Sequence, residues 1–290
     1  MSDARPTGVI HDIGYRHYEG RRLGRGPAFA ALMAHNLRGA FGLRRPFRAK
    51  LVPFLLGGVM LLPALVSIAV MAMFKERALP YHTFTALLQV IPAIFLAAQA
   101  PYLAALDLRY RILPLYLSRP ILVTDYVGAK LAAMTLALYA LIAVPLTAMF
   151  IGELVIDLPG PPDTHGYAAA MTTGLILAVF LAAAGLLVAS VTPRRGLGVA
   201  AVAALYLLTS AVSLVLYGVL SATGHDDEAR WALLINPFFL VDAMQTWLFG
   251  TEPVTGTGYP PGPITAMLFV ACTALAIGGL VARYRSVASR

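Results

Sequence analysis

Chemistry at a phosphate, a metal or an acyl carbon needs particular side chains at particular spacings, and those spacings are missing here. A phosphate-binding loop ends in Gly-Lys-Ser/Thr, because backbone amides and a lysine ammonium must surround the phosphate. The three lysines, Lys50, Lys75 and Lys130, follow Ala49, Phe74 and Ala129, so the sequence has no such loop. Neither His-Glu-x-x-His nor Gly-x-Ser-x-Gly occurs, which removes the usual metallohydrolase and serine-hydrolase patterns. His165 and His225 stand alone. The single cysteine, Cys272, lies in an apolar run and reads as a small packing residue. The chain is therefore expected to be non-catalytic, with no metal or cofactor of its own.

The spacing that does suggest work is one of recognition. Residues 106–126 read LDLRYRILPLYLSRPILVTDY. A connection between two membrane helices can be short and polar, yet this one carries Ile112, Leu113, Leu115, Tyr116 and Leu117. Such side chains need a surface to bury them. Lipid headgroups would serve. A groove on a soluble protein would serve better, because Arg109, Arg111 and Arg119 supply directional hydrogen bonds at its rim.

The elements that hold this segment are set by hydropathy. Of the 290 residues 59% are hydrophobic and 12% charged, against about 25% charged in an ordinary soluble domain. Six runs, 51–74, 83–106, 126–151, 167–191, 197–221 and 263–283, approach or exceed the roughly 20 apolar residues that cross a bilayer. They are expected to be helices, since lipid offers no partner to free backbone groups and period-two alternation is missing. Eighteen Arg and Lys fall on one side of this plan and three on the other, which places both termini in the cytoplasm. The net charge of +8 is thus read as membrane orientation and not as a nucleic-acid footprint. No early apolar core marks a cleaved signal, so the first span is expected to serve as the insertion signal. The use of 19 Arg to 3 Lys, with abundant Ala, Leu and Val, suggests a GC-rich bacterium and its inner membrane.

Two segments need separate treatment. Residues 27–45 place Phe29, Leu32, Met33, Leu37, Ala40 and Phe41 on one helical face, which predicts an amphipathic helix on the membrane surface, ended or kinked by Pro46. Residues 231–249, WALLINPFFLVDAMQTWLF, are apolar enough to raise a seventh span. Asn236-Pro237 interrupts them, Asp242 and Gln245 follow, and a seventh crossing would carry the arginine-rich tail outside. They are read as a re-entrant or interfacial helix pair at the outer mouth.

With these features assembled, the chain resembles the ABC-2 type of ABC transporter permease over residues 27–290. The resemblance rests on Asp107 closing the second span, the short apolar helix 113–117, Ser118-Arg119-Pro120, then Tyr126 and Lys130 opening the third span, and a late Asn236-Pro237. It implies the type V exporter fold: an all-α polytopic protein with an N-terminal elbow helix in a cytoplasmic segment 1–50, and a six-span domain 51–290. It also implies a coupling helix between spans two and three and re-entrant helices before the last span. The coupling contacts would be Asp107, Arg109, Arg111, Leu113, Pro114, Leu115, Tyr116, Leu117, Ser118, Arg119 and Pro120. Spans two and five would line the pathway with Gln89, Gln99, Tyr206, Thr209, Ser210, Ser213 and Tyr217, behind a gate of Asn236, Pro237 and Phe238. The implied partners are two ATPase subunits holding ATP and Mg, a second permease copy or paralogue, and membrane lipid. Pro114 departs from the family pattern, and the coupling helix is expected to begin there as a first-turn residue, with 107–113 extending span two.

The spans also bear on the energy source. Lys130 is the ionisable residue placed well inside a run, close enough to the cytoplasmic face to snorkel. Ion-driven carriers usually keep carboxylates at the midplane, so an external ATPase suits these spans better. Walls with so little charge favour an amphipathic or lipid-like substrate. A non-transporting scaffold or sensor partner is the alternative on the same fold.

Overall fold

The computed structural model describes residues 14, 20, 24–43, 45–77, 79–110, 112–118, 121–156, 158–192 and 194–289. The basic N-terminal stretch before residue 24, apart from Gly14 and Gly20, and Arg111, Arg119 and Pro120 of the basic connection, lie outside the described residues. Among those described, all regular structure is helical. In chain order the helices are α1 Arg25–Ala40, α2 Phe47–Phe74, α3 Tyr81–Leu87, α4 Val90–Arg109, α5 Leu113–Leu117, α6 Val123–Val155, α7 Thr164–Val191, α8 Arg195–Ala222, α9 Asp226–Leu233, α10 Pro237–Phe249 and α11 Gly262–Ala288. Six of them, α2, α4, α6, α7, α8 and α11, are long and apolar enough to cross a membrane. The chain is a multi-pass helical membrane protein.

Helices α6 and α7 form the centre. Their buried faces repeat small residues, Ala129, Ala133 and Ala137 on α6 and Ala170, Gly174, Ala178 and Ala182 on α7. In lipid, helices gain little from hydrophobic exclusion and associate by close packing, which small side chains permit. A Cβ on Gly174 would lie 3.1 Å from Ile142 of α6. Helix α4 packs against α6, α7 and α8, whereas α2, α8 and α11 stand at the periphery with most of their surface outward. On α2 the buried residues Met60, Ala64, Ser67 and Met71 form one stripe at helical spacing.

Three expectations need correction. The run 83–106 is not one helix. It breaks at Leu88–Gln89 into α3 and α4. Pro92 explains the break, since it cannot donate to the carbonyl four residues earlier and is tolerated only in a first turn. The 27–45 helix ends at Ala40, before Pro46, because Gly42 turns the chain with φ +67°, where a Cβ would meet the Ala49 carbonyl oxygen at 2.4 Å. The helix expected over 126–151 runs on to Val155, which takes Glu153 out of the following loop and into the last turn of α6.

The ends of the bundle differ in chemistry. One gathers the C-terminal ends of α4, α7 and α11 with the N-terminal ends of α1 and α6. There Tyr284 donates to the Ala104 carbonyl at 3.4 Å, and Arg25 pairs with Asp125 at 2.7 Å. At the opposite end lie α3, α9 and α10, with the close of α6 and the start of α7.

Candidate functional site

The basic connection folds back on the bundle. Pro114 sits in the first turn of α5, where its missing N–H costs nothing, but α4 stops at Arg109 and does not extend to Leu113. Leu113 is buried inside the chain, and Tyr116 and Leu117 pack against the same core. The expectation that all five apolar residues await an external surface is therefore too broad. Leu115, 68% exposed, is the large one on α5 left facing outward, with Pro114 and Ser118 exposed beside it and Arg109 and Tyr110 exposed at the end of α4.

Behind α5 lies a charged cluster. Lys130 of α6 donates to the Asp107 carboxylate and to the Leu103 carbonyl of α4, and the Tyr126 hydroxyl donates to the same carboxylate. The Lys130 side chain is 3% exposed and that of Asp107 20%. Lys130 does not snorkel; the expected reach to the interface is replaced by an internal ion pair. Tyr126 is the hinge pin of the cluster, its ring 5.3 Å from Tyr116 of α5 and 5.8 Å from Tyr284 of α11. One carboxylate thus ties α4 to α6, and aromatic contacts extend the tie to α5 and α11.

A second candidate is a cavity of about 420 Å³ among α4, α7, α8, α9, α10 and α11. Leu96, Phe180, Leu205, Leu240 and Leu268 make it apolar, with Tyr206, Thr209 and Trp231 at its wall. Its size and lining suit a small amphipathic ligand. Thr209 spends its hydroxyl on the carbonyls of Leu205 and Tyr206, and the Tyr206 ring stands edge-on to Phe238 at 5.6 Å.

The other expected pathway residues do not gather there. Gln99 is buried. Ser213 donates to the Leu233 carbonyl, which fixes α8 to α9. Tyr217 borders a separate depression with Asp226 and Arg230, and Ser210 and Gln89 do not line the apolar cavity. Gln89 accepts a 3.4 Å hydrogen bond from the Asn236 side chain. Asn236 in turn caps α10 by accepting from the Phe238 N–H at 2.9 Å, and Pro237 takes the first helical position. Helices α9 and α10 meet there at a 108° bend.

No protein-family model and no curated protein matches this chain.

One cluster escaped the sequence reading. Glu153, buried in the last turn of α6, accepts from Arg77 at 2.7 Å, from the Asp163 N–H at 2.9 Å and from the Tyr81 hydroxyl. Arg77 also donates to the Pro161 carbonyl at 2.6 Å. Burial and the adjoining carboxylate push the Tyr81 hydroxyl well above the usual tyrosine range, so it stays a donor. These partners lie 10 to 76 residues from Glu153 in sequence, and no local pattern announces them.

Proposed function

We propose that this chain is the membrane subunit of an ATP-driven exporter of the ABC-2 type, working beside separate ATPase subunits. The observation that carries the reading is α5. It is a short helix at the arginine-rich end, with Leu115 and Arg109 presented outward and an internal carboxylate cluster behind it that joins α4, α6 and α11. A motor pressing on such a helix would move several membrane helices together. In this reading α5 is the coupling helix and α1 the elbow helix. Helices α9 and α10 form the outer re-entrant pair, with Asn236, Pro237 and Phe238 as its gate.

The remaining parts follow. The chain sits in a bacterial inner membrane with both termini in the cytoplasm, as the 18-to-3 distribution of basic residues favours. It pairs with a second copy or a paralogue, and ATP and Mg bind on the two ATPase chains. The apolar cavity supports an amphipathic or lipid-like substrate over a bare ion.

The test is co-expression with a soluble ABC-type ATPase from the same genome, a gene adjacent to this one being the first candidate. Leu115→Asp is expected to abolish co-purification while leaving the melting temperature of the isolated chain unchanged. Full retention of the ATPase by that variant would reject the coupling role of α5. A wild-type complex that hydrolyses ATP but moves no amphiphile in vesicles would favour a scaffold.

A further inference from the structure

Helix α10 stands between two cavities of opposite character. Pro237 and Leu240 line the apolar one, while Asp242 and Gln245 line a much smaller one of about 20 Å³ on its other side. His82 and Thr85 of α3 and Thr173 of α7 complete the polar part of that second lining. Asp242, Gln245 and Thr173 are each more than nine-tenths buried. Yet Asp242 Oδ1, Gln245 Nε2 and Thr173 Oγ1 have no hydrogen-bond partner among the protein atoms. The second carboxylate oxygen, Oδ2, is fully engaged, accepting from the Val254 N–H at 3.0 Å and the Tyr259 hydroxyl at 2.6 Å. Asp242 therefore holds one oxygen to the loop after α10 and turns the other toward the cavity.

Buried polar groups are rarely left unmatched, and those that protein atoms do not satisfy are usually met by internal water. The space needed for one water is roughly 10–15 Å³, which the cavity meets and any organic substrate exceeds. The chemistry of the three atoms is mixed: a carboxylate oxygen accepts, an amide nitrogen donates, and a hydroxyl does either. A water matches all three at once. It donates to Asp242 Oδ1, accepts from Gln245 Nε2 and exchanges a third bond with Thr173 Oγ1. A hard cation needs about six oxygens and is repelled by an N–H.

We propose that this cavity is a built site for one water molecule, which joins α7 to α10 and so fixes α10 as the wall of the apolar cavity. Asp242 and Gln245, one turn apart on the same helical face, are its grip on α10, and Thr173 is its anchor on the central helix α7. The inference does not depend on what the chain transports.

The direct test is an experimental structure of the full chain that resolves ordered water. A single peak within about 2.7–3.2 Å of all three atoms is expected. A peak replaced by rubidium or thallium on soaking would overturn the assignment, as would Thr173 bonded instead to its own helix with Gln245 turned away. A thermal-unfolding cycle gives an independent check. Thr173→Val and Gln245→Met act on one shared water, so the double variant is expected to lose clearly less melting temperature than the two single losses added. Strict additivity would contradict the shared guest. Thr173→Ser keeps the hydroxyl and is expected to stay near the parent protein; a loss as large as that of Thr173→Val would also sink the proposal.

Discussion

The two ends of the bundle solve the same problem with the burial reversed. At the α5 end the cation is enclosed: the Lys130 side chain is 3% exposed and its partner Asp107 20%. At the opposite end the acid is enclosed: the Glu153 side chain is 1% exposed and Arg77 41%. Each carboxylate also takes a tyrosine hydroxyl, Tyr126 at one end and Tyr81 at the other. The difference lies in what remains when the more accessible partner is removed. Lys130 would keep one carbonyl, that of Leu103, whereas Glu153 would keep both a hydroxyl and the Asp163 N–H. A buried charge is costly in proportion to what is left unmatched, so the two ends should respond unequally to equivalent mutations.

Asp107→Asn is expected to have the largest effect, because it leaves a buried ammonium without its counter-charge. A loss of about 3 kcal/mol or more is expected, read as the largest fall in melting temperature in detergent. Adding Lys130→Met removes the orphan and should restore most of that loss; a double variant as unstable as the single one would refute the burial argument. Arg77→Met is the matching change at the other end. Its expected cost is about 1–2 kcal/mol, since two donors to Glu153 survive. If it equalled Asp107→Asn, the asymmetry between the ends would be false.

A smaller effect sharpens the comparison through pH. Burial pushes the Asp242 carboxyl up, and the Tyr259 hydroxyl, the Val254 N–H and nearby His82 offset this only in part. A carboxyl raised on folding binds its proton more tightly in the folded state. Its contribution is therefore complete below the ordinary carboxylate range and is lost as pH rises through the elevated value. The melting temperature should fall across that window in the parent and stay flatter in Asp242→Asn. Parallel curves for the two proteins would show that Asp242 titrates alike folded and unfolded. The least effect is expected from Arg25→Ala. The Arg25–Asp125 pair is geometrically good, with contacts of 2.7 to 3.0 Å, but sits in solvent-accessible surroundings. Exposed pairs contribute little, so no resolvable change in melting is anticipated, and a large one would mean that α1 docks mainly through this contact.

What could be read from the sequence, and what could not, divides along the same physical line. The six long helices were legible because the bilayer demands runs of apolar residues, and those runs stand out in a chain with so few charges. The ends were less legible. Hydropathy runs unbroken across Leu88 and Gln89, and Pro92 alone does not tell a kink within one span from the break seen between α3 and α4. Asp107, Tyr126 and Lys130 were visible as polar residues near helix ends, yet only the packing of α4 on α6 turns them into one cluster. Leu113 and Leu115 look equivalent in sequence, and only the direction in which α5 folds back separates a core residue from a surface one. Glu153 lies just past the apolar run 126–151, and nothing local marks it as buried, because Arg77 and Tyr81 reach it from a segment more than seventy residues away. The Asp242–Gln245–Thr173 cavity had one legible part, the one-turn spacing of Asp242 and Gln245, and no sign of its third wall.

Helix α4 is the least apolar and most enclosed of the six candidate spans, and α8 is among the most exposed. That contrast bears on biogenesis. A peripheral helix such as α8 partitions into lipid on its own composition, so its membrane residence is settled as soon as it leaves the ribosome and insertion machinery. Helix α4 emerges early, carrying Asp107, before Lys130, Tyr126 and the faces of α6 and α7 have been synthesised. Its lasting place in the membrane is therefore expected to depend on those later helices, so that a chain truncated before α6 should lose α4 to proteolysis sooner than a chain that includes α6 and α7.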